Sequence, residues 1–247
     1  AGAEGHLAAP AFSAAVAPNR PRPGFGSAFV ATPAIGDVSG DGKPDIIAAT
    51  YDGAILAVGS DGKLLPGFPV KVDGVSAQLS RDERHVMDDG FFAAPVLADL
   101  DRDGKLDIIA AAMDGQVYVF HGDGSRMAGW PMVVWDAMRP DLDGDPEPRQ
   151  RQRIVSTPAA GDLNDDGIPD LVLGTNEQYA DSGRLYALDG RGSRAPSPVL
   201  PGWPVAISSR YVLPVVGSGI PNPVALGDID GDGKLEILVN GIAKIGR

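Results

Sequence analysis

Four segments of this chain align with one another, and that repetition constrains the fold more than any other feature. They read ATPAIGDVSGDGKPDIIAAT from Ala31, AAPVLADLDRDGKLDIIAAA from Ala93, STPAAGDLNDDGIPDLVLGT from Ser156 and PNPVALGDIDGDGKLEILVN from Pro221. Their first loop acids, Asp37, Asp99, Asp162 and Asp228, are spaced 62, 63 and 66 residues apart. A second shared stretch follows each of the first three: DGAILAVGSDGKLLPGFPV from Asp52, DGQVYVFHGDGSRMAGWPMVV from Asp114 and GRLYALDGRGSRAPSPVLPGWPV from Gly183. A long fixed period means one supersecondary unit per repeat, each burying its apolar face against its neighbours.

Each unit reads as four short strands. Strand one is the Pro-Ala-x-Gly-Asp stretch and strand two the apolar Asp-Ile-Ile-Ala run. Strand three is the alternating Val-Tyr-Val run, and strand four the Pro-Gly-Trp/Phe-Pro-Val stretch. Runs of this length separated by Asp-Gly turns are hairpin signals. Four antiparallel strands per repeat make one blade of a β-propeller. The predicted fold is therefore all-β, with three full repeats and the start of a fourth. The blades fall at about 29–72, 91–135, 154–207 and 221–247, after an Ala/Pro-rich leader at 1–28. The strand-two runs are apolar on both faces, as expected of sheets held between neighbouring blades. Pro23-Gly24-Phe25 echoes the strand-four motif, which would let the leader supply an outer strand.

Between strands one and two, each repeat carries a loop of the form D-x-[DSN]-x-D-G-x-x-[DE]. Alternate residues of a tightly wound loop can aim oxygens at one centre, and Ca²⁺ takes six to eight of them. Loop one offers Asp37, Ser39, Asp41, the Lys43 carbonyl and Asp45. Loop two offers Asp99, Asp101, Asp103, the Lys105 carbonyl and Asp107. Loop three offers Asp162, Asn164, Asp166, the Ile168 carbonyl and Asp170, and loop four Asp228, Asp230, Asp232, the Lys234 carbonyl and Glu236. Gly42, Gly104, Gly167 and Gly233 permit the sharp turn at position six. No glutamate stands at position twelve and a β run follows, so the likeness to an EF-hand is local. Four such loops in register predict about four Ca²⁺. Mg²⁺ suits them less, since it demands octahedral geometry and keeps its waters.

The loop followed by an apolar strand resembles the FG-GAP repeat of integrin α subunits and the bacterial VCBS-type repeat. The resemblance covers residues 29 to 247. It implies a propeller of about seven blades with Ca²⁺ at one face, in a secreted or cell-surface protein. With three and a half units present, it also implies further blades from a missing segment or another chain.

The remaining features bound the function. The formal net charge is −12, from 33 acidic and 21 basic residues, which argues against a nucleic-acid partner. Cysteine is absent, excluding disulfides and thiolate chemistry. No apolar run reaches the roughly 20 residues of a membrane span. Blade topology places the longer insertions on the face opposite the acidic loops, where binding usually lives on a rigid scaffold. Candidate ligand contacts there are Arg81, His85, Asp88, Arg139, Arg149, Arg151, Arg153, Tyr179, Arg210 and Tyr211. The stretch 141–147 starts like a fifth acidic loop, but Pro146 replaces the glycine, and it reads as a solvated insertion. Phe68, Trp130 and Trp203 share one repeat position and read as packing residues. His121 falls where the other units have Gly59 and Asp189, and reads as a turn residue. No nucleophile elbow, phosphate loop or zinc motif appears. The expected function is a non-catalytic adhesion or protein-interaction scaffold that meets a protein partner or surface glycan. The rivals are a lectin-type propeller and the propeller body of a polysaccharide lyase.

Overall fold

The computed structural model describes residues 28–72, 90–134, 154–177, 184–206, 218–220 and 222–239. Three four-stranded antiparallel blades follow one another. Blade one comprises β1 (Ala34–Gly36), β2 (Asp45–Ala49), β3 (Ala54–Val58) and β4 (Val70–Lys71). Blade two comprises β5 (Val96–Ala98), β6 (Asp107–Ala111), β7 (Gln116–Phe120) and β8 (Met132–Val133). In blade three, β9 (Ala159–Gly161), β10 (Asp170–Gly174) and β12 (Arg184–Leu188) are joined by β13 (Val205–Ala206). The short β11 (Asn176–Glu177) pairs instead with β14 (Ser218–Gly219). The fourth repeat contributes β15 (Ala225–Gly227) and β16 (Glu236–Leu238). The predicted all-β, propeller-type architecture is thus present, with one adjustment. The Pro-Gly-aromatic-Pro stretch is a turn, with cis bonds at Phe68-Pro69, Trp130-Pro131 and Trp203-Pro204. Strand four is only the two residues after it, because proline cannot donate to a sheet ladder.

The core lies between blades, and the period of two along each strand explains how. In β6, Ile108 and Ala110 pack with Ile47, Ile55 and Phe68 of blade one. The alternate residues Ile109 and Ala111 pack with Leu171, Leu173 and Tyr186 of blade three. Blade three repeats the pattern toward the fourth unit, where Val172 and Leu185 meet Ile220, Val224 and Leu226. A sheet buried on both faces needs apolar residues at every position, and fully burying each aliphatic side chain contributes about 1.5–3 kcal/mol. Phe68 and Trp130 are buried at these junctions, as their shared repeat position predicts.

The expectation of apolar burial on both faces holds for β6 and β10 and fails at the outer blades. Ile46 is 43% exposed although its equivalents Ile108 and Leu171 are fully buried. In the fourth repeat Leu238 is 48% exposed and Ile229 62%. These side chains face away from the only neighbouring blade among the described residues, so nothing there covers them. No helix among the described residues is long and apolar enough to cross a membrane. The leader, the 141–147 stretch and all ten candidate contacts on the opposite face lie outside the described residues.

Candidate metal centres

The four acidic loops fold alike because each position has its own task. The first carboxylate gathers the loop's backbone N–H groups. Gly42, Gly104, Gly167 and Gly233 donate to Asp37, Asp99, Asp162 and Asp228 at 2.7, 2.9, 2.7 and 3.0 Å. All four glycines have φ between 80° and 87°, a region where a Cβ is strained. The fifth residue makes an Asx turn: Asp41, Asp103, Asp166 and Asp232 accept from the N–H two residues on, at 2.8 to 2.9 Å.

The ninth residue closes the loop with one oxygen only. Oδ2 of Asp45, Asp107 and Asp170 accepts from Val38, Leu100 and Leu163 at 3.1, 2.9 and 3.0 Å. Glu236 Oε2 accepts from Ile229 at 2.7 Å. The other oxygen is left for something else, most plainly in blade three. Asp170 is fully buried, and its Oδ1 has no hydrogen-bond partner. A buried carboxylate oxygen without a partner carries a large desolvation penalty, which a cation would offset. The donor set, carboxylates with a serine hydroxyl or asparagine amide, is that of a hard divalent ion. The residues present therefore fit Ca²⁺.

Convergence differs among the loops. Asp99, Asp101 and Asp107 of loop two bring carboxylate oxygens within 4.8 Å of one another, as do Asp228, Asp230 and Glu236 of loop four. The fifth-position acids Asp103 and Asp232 stand outside these two groups. Loops one and three have Ser39 and Asn164 where Asp101 and Asp230 stand, and so present a neutral oxygen there. Ser39 Oγ donates to Asp37 Oδ1 at 3.3 Å, and Asn164 Oδ1 accepts from Asp166 N at 2.9 Å.

Neighbouring side chains tune two of the loops. Beside loop two, His121 Nδ1 lies 2.9 Å from Asp107 Oδ1 and 3.9 Å from Asp101 Oδ2. Beside loop three, Arg191 donates to Asp166 Oδ2 at 2.8 Å and to both oxygens of Asp189. Arg102 reaches across from loop two to the carbonyls of Asp166 and Gly167 at 2.6 and 2.9 Å. The sequence reading treated His121 as a turn residue. It does begin that turn, but its ring also faces the loop, a relation visible only once strands β6 and β7 are paired. A cleft of about 550 Å³ opens beside it, between Val38, Leu65 and Pro66 of blade one and Asp101, Asp107 and His121 of blade two. It lies on the loop face, whereas the sequence pointed to the opposite one.

Burial pushes Asp107 up to about 6, against the Leu100 N–H and His121 and with help from the Asp101 charge. Burial likewise raises Asp170 to about 6, against the Leu163 N–H, with Asp189 and Asp166 adding to the rise. Asp37 moves the other way: burial would raise it, but the N–H groups of Gly42, Gly40 and Asp41 and the Ser39 hydroxyl together hold it low. In metal-free protein the two raised groups bind protons more tightly folded than unfolded. Their contribution to stability is full below the ordinary value of 3.8 and is lost as pH rises through about 6. The melting temperature in EGTA should accordingly fall by several degrees between pH 4 and 6.5. Saturating Ca²⁺ should remove that fall by taking the proton's place. A metal-free melting temperature that stays level or rises across this window would contradict the assignment.

Residues 162–239 match the family model described as an FG-GAP-like repeat. That segment is thus FG-GAP-like. The matched segment runs from the first acid of loop three through β16, and loops one and two superimpose on it in sequence and in hydrogen bonding. No curated protein matches the sequence at a significant level. Among solved structures, the Pseudomonas aeruginosa PilY1 C-terminal domain is 16% identical with a TM-score of 0.51, covering 80% of this chain and 37% of that one. BBS1N, solved in complex with ARL6DN, is 15% identical with a TM-score of 0.50, covering 89% and 56%. The V. cholerae biofilm matrix protein Bap1 is 21% identical with a TM-score of 0.48, covering 87% and 29%. The chain thus spans between 29% and 56% of these proteins' own lengths. At these identities PilY1 and BBS1N bear on the propeller-type fold and on nothing further.

Proposed function

We propose that this FG-GAP-like chain is a non-catalytic, extracellular Ca²⁺-binding propeller module that serves as an adhesion or protein-interaction scaffold. Its partner would be a protein or a surface glycan. The observation that carries the reading is the fourfold recurrence of one loop geometry, with the buried Asp170 Oδ1 left without a partner. In this reading the ions would bring no reaction. They would neutralise convergent carboxylates and fix the hairpins, so that the loop face and its cleft become a rigid surface.

Metal analysis of the purified chain tests the first half. Close to four Ca²⁺ per chain are expected, and one fewer in Asp170→Asn, which keeps the side chain's shape and removes its charge. A parent chain without bound Ca²⁺, or an unchanged count in the variant, would contradict it. The cleft of about 550 Å³ between blades one and two is the observation that favours the lectin reading. A glycan array probed in Ca²⁺ and in EGTA separates the two: Ca²⁺-dependent capture of a defined glycan class supports the lectin. Cleavage of acidic polysaccharide by the chain would overturn the non-catalytic reading.

A further inference from the structure

Loop three differs from its counterparts in already holding a cation of the protein's own. The turn between strands three and four carries Asp61 in blade one and Asp123 in blade two, and Arg191 at the same place in blade three. Asp61 and Asp123 each accept the N–H two residues on, at 3.0 and 2.9 Å. Arg191 instead sends its guanidinium to the loop. Its Nη2 donates to Asp189 Oδ2 and also to Asp166 Oδ2, the latter at 2.8 Å. Its Nε donates to Asp189 Oδ1 at 2.8 Å, and Asp189 is itself buried. Asp166 is held a second time through its backbone, where Arg102 of blade two donates to its carbonyl at 2.6 Å. Among the described residues no side chain bonds the matching Oδ2 of Asp41, Asp103 or Asp232, whose Oδ1 atoms accept backbone N–H groups.

We propose that Arg191 is a tethered counter-cation that competes with Ca²⁺ for Asp166, so that loop three is the lowest-affinity site of the four and the last to fill. The inference rests on the reading of these loops as cation sites. The arginine does not complete the site: Asp170 of the same loop is fully buried, and its Oδ1 has no hydrogen-bond partner. That oxygen still calls for an ion. Two effects lower the affinity. An incoming ion must first take Asp166 Oδ2 from the guanidinium, and a charge-assisted hydrogen bond is about twice as strong as a neutral one. The displaced guanidinium then cannot leave, because the buried Asp189 needs it, so a positive charge stays beside the ion and repels it. Ligand charge count is what tunes calcium loops across decades of affinity. Loop three has Asn164 at position three, and Arg191 offsets one of its remaining carboxylates. Loop one is the internal comparison: it has the equally neutral Ser39 there, but Asp61 at the turn position of Arg191.

The test is a Ca²⁺ titration of the whole chain by isothermal titration calorimetry. About four equivalents are expected in the parent. One of them should be weaker than the rest and absent in Asp170→Asn, which assigns it to loop three. Arg191→Gln should tighten that equivalent by about fivefold or more, the usual scale of coupling between two ligands of one protein. A merely structural Arg191 would give the opposite result, since its loss would loosen the loop and weaken the site. Should the glutamine variant fail to fold with Asp189 uncompensated, Asp189→Asn combined with Arg191→Gln removes both charges and should tighten the site likewise. The proposal is overturned, with the Ca²⁺ loops left intact, if the equivalent lost in Asp170→Asn is not the weakest. The same holds if removing Arg191 leaves the affinity unchanged or lowers it. A parent chain that binds no Ca²⁺ would overturn both readings.

Discussion

Transfer from about 2 mM Ca²⁺ into excess EGTA should lower the melting temperature of this chain by about 6 °C or more. The size follows from mass action at four sites. A dissociation constant of about 10⁻⁴–10⁻³ M, usual for extracellular modules, gives each loop about 0.6–1.8 kcal/mol at that concentration. Four independent sites total about 3–7 kcal/mol, and a chain of this length shifts by about 2–4 °C per kcal/mol. Tighter sites would enlarge the effect. The structural reason is local: loops two and four each hold three carboxylates within 4.8 Å, a repulsion that a divalent ion removes. Differential scanning fluorimetry with and without EGTA measures it. A melting temperature indifferent to chelation would mean that the backbone N–H groups alone satisfy these acids.

The second large effect is expected at a residue with no chemistry. Replacing Gly122 by alanine should cost about 3 kcal/mol or more. A Cβ there would lie 1.7 Å from the carbonyl oxygen of Val38 and 2.6 Å from its carbon, both backbone atoms of blade one. No rotamer relieves that overlap, so the turn must lift off the neighbouring blade and open the junction that buries Phe120. Gly62→Ala is the control. It has a φ of 79° but nothing within 4 Å of its Cβ, so only backbone strain of about 1 kcal/mol applies. Denaturant unfolding in saturating Ca²⁺ compares them. Equal losses in the two variants would show that the junction is looser than the 1.7 Å approach implies.

Gly122 also shows where sequence reading reached its limit. The period, the strand order and the shared turn geometry of the four loops were legible, because they depend on local spacing and on turns that demand glycine or aspartate. Contacts between blades were not. Nothing in His-Gly-Asp-Gly announces that Gly122 lies under Val38, or that His121 faces Asp107 fourteen residues earlier. Both follow from how β6 pairs with β7 and how blade two lies on blade one. The repeat did hold a clue: position 121 varies among glycine, histidine and aspartate while the residues around it repeat. Such variation inside a constant frame marks a site where each copy has its own surroundings. The exposed Ile46 and Leu238 were misread because their equivalents in inner blades are buried, and the sequence pattern does not distinguish inner from outer blades.

The order of strands within each blade also bears on how the chain reaches this structure. In blades one and two every strand pairs with the next in sequence, so each sheet forms by successive hairpins, without waiting for a distant segment. Loop-closure entropy is therefore modest inside a blade, where paired strands lie close in sequence. The apolar flanks then impose a sequence of events. A lone blade leaves a row such as Ile47, Ile55 and Phe68 facing water until the next blade arrives to cover it. During synthesis each finished blade thus becomes the template on which its successor condenses, and assembly advances along the chain one flank at a time.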